Sequence, residues 1–122
     1  SLAVKRGVMD AAFDEALTLL NALPAARARA FFLGEALSAA TGGERLSVGG
    51  VNPDWYDDSF LAELNQALTA RGAKPVSPSD EQTEGRGFRL IRPGASMDCT
   101  FGALIADQRM ALEGEVASAL FD

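Results

Sequence analysis

The stretch GFRLIRPGASMDCTFGALIADQRMALEGEVASALFD, residues 87–122, decides the fold. Gly87-Phe88-Arg89-Leu90-Ile91-Arg92 has the composition of a strand, and Pro93-Gly94-Ala95 is turn chemistry. The next residues alternate, with Met97, Cys99 and Phe101 on one side and Asp98 and Thr100 on the other. A period of two marks a half-buried strand. The spacing then becomes helical, through Leu104, Ile105, Leu112, Val116, Ala119 and Leu120. A hairpin has one apolar face and an amphipathic helix one apolar stripe, and neither hides that side alone. The stretch predicts a hairpin with a long closing helix laid over it. Gly114 inside that helix costs roughly 0.5–1 kcal/mol, against ~1.5–3 kcal/mol gained by each large apolar side chain fully buried. Burial prevails, and Leu112→Asp is expected to unfold the domain or sharply lower its melting temperature.

Upstream, Met9, Phe13, Ala16, Leu17, Leu20 and Leu23 share one helical face over residues 3–23. Leu2, Val4 and Val8 carry the apolar pattern toward the start, with no clear N-cap, as in a helix that has been cut. Pro24 ends this element, because proline inside a helix removes a hydrogen bond and clashes with the preceding turn. A second helix, over 25–41, carries Phe31, Phe32, Ala36, Leu37 and Ala40 and stops at Gly42-Gly43. Arg45 to Val48 reads as a short strand. Asp54 to Asp58 leads into a third helix with Phe60, Leu61, Leu64, Ala67 and Leu68 on its face, closed by Arg71-Gly72. Ala73 to Val76 reads as another short strand, and Ser77 to Glu84 as a mobile loop. The fold class is α+β: a small, mostly antiparallel sheet with helices packed against it and a long closing C-terminal helix.

Composition narrows the function. A chain of 122 residues makes one domain and buries enough surface to fold without staples. A net charge of −6 argues against nucleic acid, whose phosphates must be met by lysine and arginine. The single cysteine, Cys99, reads as a small buried side chain, since no intrachain disulfide is possible and no histidine is present to activate it. No apolar run reaches the ~20 residues of a membrane span, and no signal peptide is visible.

The motifs point away from catalysis. Gly42 to Gly50 is glycine-rich but lacks the Gly-Lys-Ser/Thr end of a phosphate loop. Gly85-Arg86-Gly87 precedes a strand and lacks the third glycine of a dinucleotide fingerprint. Asp54, Asp57, Asp58, Asp80, Glu81 and Glu84 lack calcium-loop spacing and read as a solvated acidic surface. No catalytic, cofactor or metal residue is nominated. Two features suit a partner surface as well as a structural role. Arg86, Arg89 and Arg92 either guard a sheet edge or meet an acidic partner. Trp55 and Tyr56 are either core or interface anchors.

Gly87-Phe88, Leu90, Asp98, Phe101, Leu104, Arg109, Leu112, Glu115-Val116-Ala117 and Leu120-Phe121 form an ordered set. That set resembles the carboxyl-terminal end of the E subunit of the vacuolar/archaeal-type (V/A-type) rotary ATPases. Leu23-Pro24 and Thr41-Gly42-Gly43-Glu44 extend the resemblance along the chain. Gly102 departs from it, standing where the family often has Glu. The resemblance implies a non-catalytic peripheral-stalk (stator) subunit of a proton- or sodium-translocating V/A-type ATPase or ATP synthase, linking the catalytic head to the membrane part. It implies a helical G/H-type stalk partner in a coiled coil, contact with the nucleotide-binding head subunits, no direct membrane insertion, and a place on the cytoplasmic side of the membrane. Residues 1–8 would be the remnant of the stalk helix, with Leu2, Val4 and Val8 at its seam, and residues 9–122 the globular head. Alternatives are a stator-like regulator of a flagellar or type III secretion export ATPase, and a small acidic ligand-binding domain or enzyme. The partner pulled down separates the first, and a deep apolar pocket with convergent polar groups the second.

Overall fold

A computed structural model describes the backbone of residues 1–121 and the side chains of residues 1–119. The element order is α1 (Leu2–Asn21), α2 (Ala25–Ala39), β1 (Arg45–Val48), α3 (Asp58–Ala70), β2 (Ser77–Pro78), β3 (Gly87–Arg92), β4 (Ala95–Thr100) and α4 (Phe101–Phe121). The strands form one sheet in the order β2-β1-β3-β4. The fold is α+β, as the alternation of patterns predicts. The sheet is mixed: β1 pairs antiparallel with β3, and β3 with β4, while β1 and β2 run parallel.

The core forms where α2 and α3 cover one face of β1 and β3. Ala28, Phe32 and Ala36 of α2 are buried, as are Phe60, Leu64 and Leu68 of α3. They meet Leu46 of β1, Phe88 and Leu90 of β3, and Phe101 at the start of α4. Phe32 is the hub, with its ring centroid 4.6 Å from both Trp55 and Phe101. Asp57 caps α3 through its Oδ1, which accepts from the Phe60 N–H at 3.1 Å. The Ser59 hydroxyl and that N–H hold the Asp57 carboxyl below its ordinary value.

Several expectations are corrected. Ala73 to Val76 is not a strand, because the Asn65 side chain takes both main-chain groups of Val76, at 2.7 and 2.9 Å. The β2 pairing falls one step later, at Ser77–Pro78. The segment expected to be a mobile loop is tied to β1: Ser79 N–H donates to the Leu46 carbonyl, and Thr83 N–H to that of Val48. Thr83 is buried, and its hydroxyl lies 2.6 Å from that of Ser47. The start of α1 is capped, since Ser1 Oγ accepts from Val4 N–H at 3.4 Å. Phe101 begins α4 instead of ending the strand. Thr100, expected on the polar side, is buried, and its hydroxyl accepts from the Ala103 N–H at 3.2 Å.

The largest correction concerns α4. Among its described side chains, those that touch the core are in the first turns, Phe101 and Leu104. Beyond them it leaves the sheet and pairs antiparallel with α1. Arg109 forms an ion pair with Asp10, and its guanidinium carbon lies 5.9 Å from the centre of the Phe13 ring. Val116 and Ala117 share a groove with Leu2 and Met9. Leu112 is 38% exposed, so it cannot carry the stability assigned to it from spacing. The helical period reveals an apolar stripe but not what covers it; α2 and α3 already occupy the sheet face. The expected apolar contact of Leu120 lies outside the residues whose side chains are described.

Candidate interaction surfaces

Glycine and acid together build the turn between α2 and β1. Glu44 is 1% exposed, and its carboxylate accepts from the N–H groups of Thr41 at 2.8 Å and Gly42 at 2.6 Å. Gly42 has φ 111°, and a Cβ there would stand 2.9 Å from the main-chain N and O of Lys74. No other residue fits that conformation in that space. Burial pushes the Glu44 carboxyl up. The N–H groups of Thr41, Gly42 and Glu44 itself, with the Arg92 guanidinium, outweigh it and hold the group below its ordinary value. Sequence reading passed over Glu44; the only signal was an acid directly after a Gly-Gly turn.

The three arginines are engaged within the chain. Arg86 Nη1 donates to the carbonyls of Leu20, Asn21 and Leu23, at 2.7–3.3 Å, closing the end of α1. Its Nη2 meets both carboxylate oxygens of Asp54, at 3.0 and 3.1 Å. Arg89 donates through Nε to the Thr83 hydroxyl at 3.2 Å. Arg92 pairs with Glu44 at 2.7 Å. One cation thus ties α1 to the loop before α3, one binds the 77–85 segment, and one locks the α2–β1 turn.

Trp55 is 2% exposed and packs among Phe32, Phe60 and Phe88, which makes it a core side chain. Tyr56 lies half-buried beside it, ring centroids 5.6 Å apart. Burial, then the charges of Asp58 and Asp57, push the Tyr56 hydroxyl above its usual value. Burial also pushes the Cys99 thiol up to about 11, helped by Glu35 and Asp98 against the opposing pull of Arg92.

Among the described residues, apolar side chains stay open in two places that bear on a partner. Leu2, Val4 and Val8 are 50%, 65% and 66% exposed on α1, a helix with no fully buried residue. The second is a groove beside β4 containing Phe31, Met97 and Leu104. Among the described residues no group of three or more Cys, Asp or Glu side chains could hold a metal ion. Among them too, no helix is long and apolar enough to cross a membrane.

No protein-family profile matches the chain, and no solved structure matches it. Curated proteins do. The E subunit of a V-type proton ATPase from Clostridium botulinum is 32% identical over 124 aligned residues, covering 98% of this chain and 62% of the relative. The E subunit of a V-type ATP synthase from Clostridium perfringens is 31% identical, covering 99% of this chain and 62% of the relative. The chain thus spans a little under two thirds of the length of the curated relatives it matches, which fits the expected likeness to their carboxyl-terminal domain. Over nearly its whole length the chain is therefore a homologue of the E subunit of the V-type ATPases and ATP synthases.

Proposed function

We propose that this chain is the globular head of a peripheral-stalk subunit, the stator of a V-type proton- or sodium-translocating ATPase or ATP synthase. The reading is carried by the match to proteins named as E subunits across 98% of the chain. The work of such a head is mechanical: it links the catalytic head to the membrane part from the cytoplasmic side and catalyses nothing itself. A helical G/H-type stalk subunit would pack along Leu2, Val4 and Val8, and the nucleotide-binding subunits would bind the globular part.

The shape of α1 supports this division. Residues 1–8 of its first turns are each exposed, although Leu2, Lys5 and Arg6 border a groove against Val116 and Ala117 of α4. From Met9 onward, partly buried positions recur at Phe13, Ala16, Leu17 and Leu20, which supports a boundary near residue 9. The helix runs unbroken through the boundary, so a stalk and a head would be joined by continuous backbone hydrogen bonds and not by a linker.

The test is a pull-down from source lysate with the full-length parent of this chain as bait. The expected result is co-recovery of the nucleotide-binding subunits of a V-type ATPase and a small coiled-coil subunit. Recovery of an export ATPase instead, or of no ATPase where a known stator subunit does bring one, overturns the proposal.

A further inference from the structure

β4 forms one edge of the sheet, with β3 on one side and no strand on the other. Ala95, Ser96, Met97 and Asp98 are all exposed. The β3–β4 turn is Pro93-Gly94, with Arg92 opposite Ala95. Facing residues in an antiparallel pair alternate between hydrogen-bonded and non-hydrogen-bonded. Counted from that turn, residues 95, 97 and 99 bond to β3, and the main-chain groups of Ser96, Asp98 and Thr100 point outward. Two contacts agree with this count. The Thr100 N–H turns to the Asp98 carboxylate at 3.0 Å, and the Gly87 carbonyl, opposite Thr100, accepts from Gly49 of the neighbouring chain segment. The outward groups of Ser96 and Asp98 are thus an unpaired template for another strand.

Beneath this edge lies a groove of about 130 Å³, between β4, α2 and the first turns of α4. Phe31 and Met97, 38% and 45% exposed, form its apolar part with Leu104. Glu35, Asp98 and Asp107 line it as well. Arg89, which stands opposite Asp98 in the register, donates to the Thr83 hydroxyl, and Arg92 is held by Glu44. An added strand would place alternate side chains into the groove beside Met97 and Cys99, and the intervening ones beside Asp98.

We infer that the free edge of β4, with the groove beneath it, docks an extended peptide segment of a protein partner in which apolar residues alternate with lysine or arginine. Main-chain hydrogen bonds to Ser96 and Asp98 set its register. Apolar side chains cover Phe31, Met97 and Leu104, and the cations, on the other face of the added strand, stand beside Asp98 in a negative field to which Glu35 and Asp107 add. A second copy of this chain does not suit the edge, because pairing β4 with itself brings Glu35, Asp98 and Asp107 of both copies together, while Arg89 and Arg92 are already engaged with Thr83 and Glu44. This inference goes beyond the stator reading and does not depend on it: the pull-down decides that reading, and the titration below decides this one.

The full chain, labelled with nitrogen-15, is titrated with a short synthetic peptide of alternating valine and lysine, and in parallel with one of alternating valine and glutamate. The expected result is amide shifts confined to residues 95–100 and the neighbourhoods of Phe31, Glu35 and Leu104, with the lysine peptide alone. Ser96→Pro removes an outward N–H without breaking the β3 ladder and abolishes the shifts. Asp107→Lys, at an exposed position outside the ladder, weakens binding about tenfold and keeps the test readable if the proline variant fails to fold. Shifts that are absent or scattered, equal binding of the glutamate peptide, binding indifferent to Asp107→Lys, or concentration-dependent self-pairing through β4 each overturn the inference.

Discussion

Arg92 Nη2 lies 2.7 Å from Glu44 Oε2 and donates to the Ala39 carbonyl at 3.0 Å. One guanidinium therefore joins the end of α2, the turn after it and the end of β3. Removing Glu44 leaves two turn N–H groups and Arg92 short of their acceptor. Glu44→Ala is expected to cost about 2–4 kcal/mol, read as a lowered thermal midpoint at neutral pH.

The same carboxylate gives the domain a pH response. Its folded-state pKa is depressed, so the unfolded chain binds the proton more readily. The stabilisation is therefore complete above the ordinary carboxylate value of 4.5 and is lost as pH falls through the lower folded-state value. Thermal midpoints from pH 7 down to pH 3 should fall more steeply for the wild type than for Glu44→Gln, whose amide does not titrate. Parallel curves would show that Glu44 does not set the acid limb.

Arg86 closes α1 with a donor fork that lysine cannot copy. Both Arg86→Met and Arg86→Lys are expected to lose about 1–3 kcal/mol, because the carbonyls of Leu20 and Asn21 at the end of α1, and of Leu23 just after it, lose their partner. Hydrogen exchange should rise over residues 15–21 and much less in β3. Full rescue by lysine would reduce the interaction to simple charge.

Trp55 and Leu112 form a contrasting pair. Trp55→Ala should cost about 3–5 kcal/mol, since it empties the centre of the aromatic cluster. Trp55→Phe should be far milder, because the buried indole Nε1 has no hydrogen-bond partner among the described residues. Leu112→Asp should cost no more than about 1 kcal/mol, the side chain being 38% exposed. Thermal scans of the three variants check the order.

Cys99 should be a sluggish thiol. With its pKa pushed up to about 11, almost none is thiolate at neutral pH. Alkylation of the native chain is expected to lag a free thiol at pH 8 and to accelerate as pH climbs toward that value. A rate equal to that of free cysteine at pH 8 would contradict it.

Much of this was legible in the amino-acid order. The partly buried positions of α1 include Met9, Phe13, Ala16, Leu17 and Leu20, the face its spacing predicts. The hairpin and its turn also fall where alternation and Pro93-Gly94 place them. Assignments failed where a side chain replaced a main-chain partner. Asn65 took the groups of Val76, and Glu44 took the N–H groups of a turn, neither of which leaves a periodic trace. Covering partners were equally hidden. Leu112 has helical spacing whether it faces a sheet, a second helix or water. Arg86, Arg89 and Arg92 read as surface charge because the carbonyls at the end of α1 and the Glu44 carboxylate are remote in sequence, and Thr83, six residues before Arg89, leaves no periodic trace.

The strand order also fixes a sequence of events in time. Both neighbours of β1, residues 77–78 and 87–92, follow it in the chain. A growing polypeptide therefore emerges with α1, α2 and β1 already made, and β1 has only the two-residue β2 to pair with until β3 has left the ribosome. The β3–β4 hairpin closes locally and fast, whereas joining it to β1 must close a loop of some forty residues. The sheet should therefore assemble late, from a preformed hairpin received by a helical half that has been waiting for it.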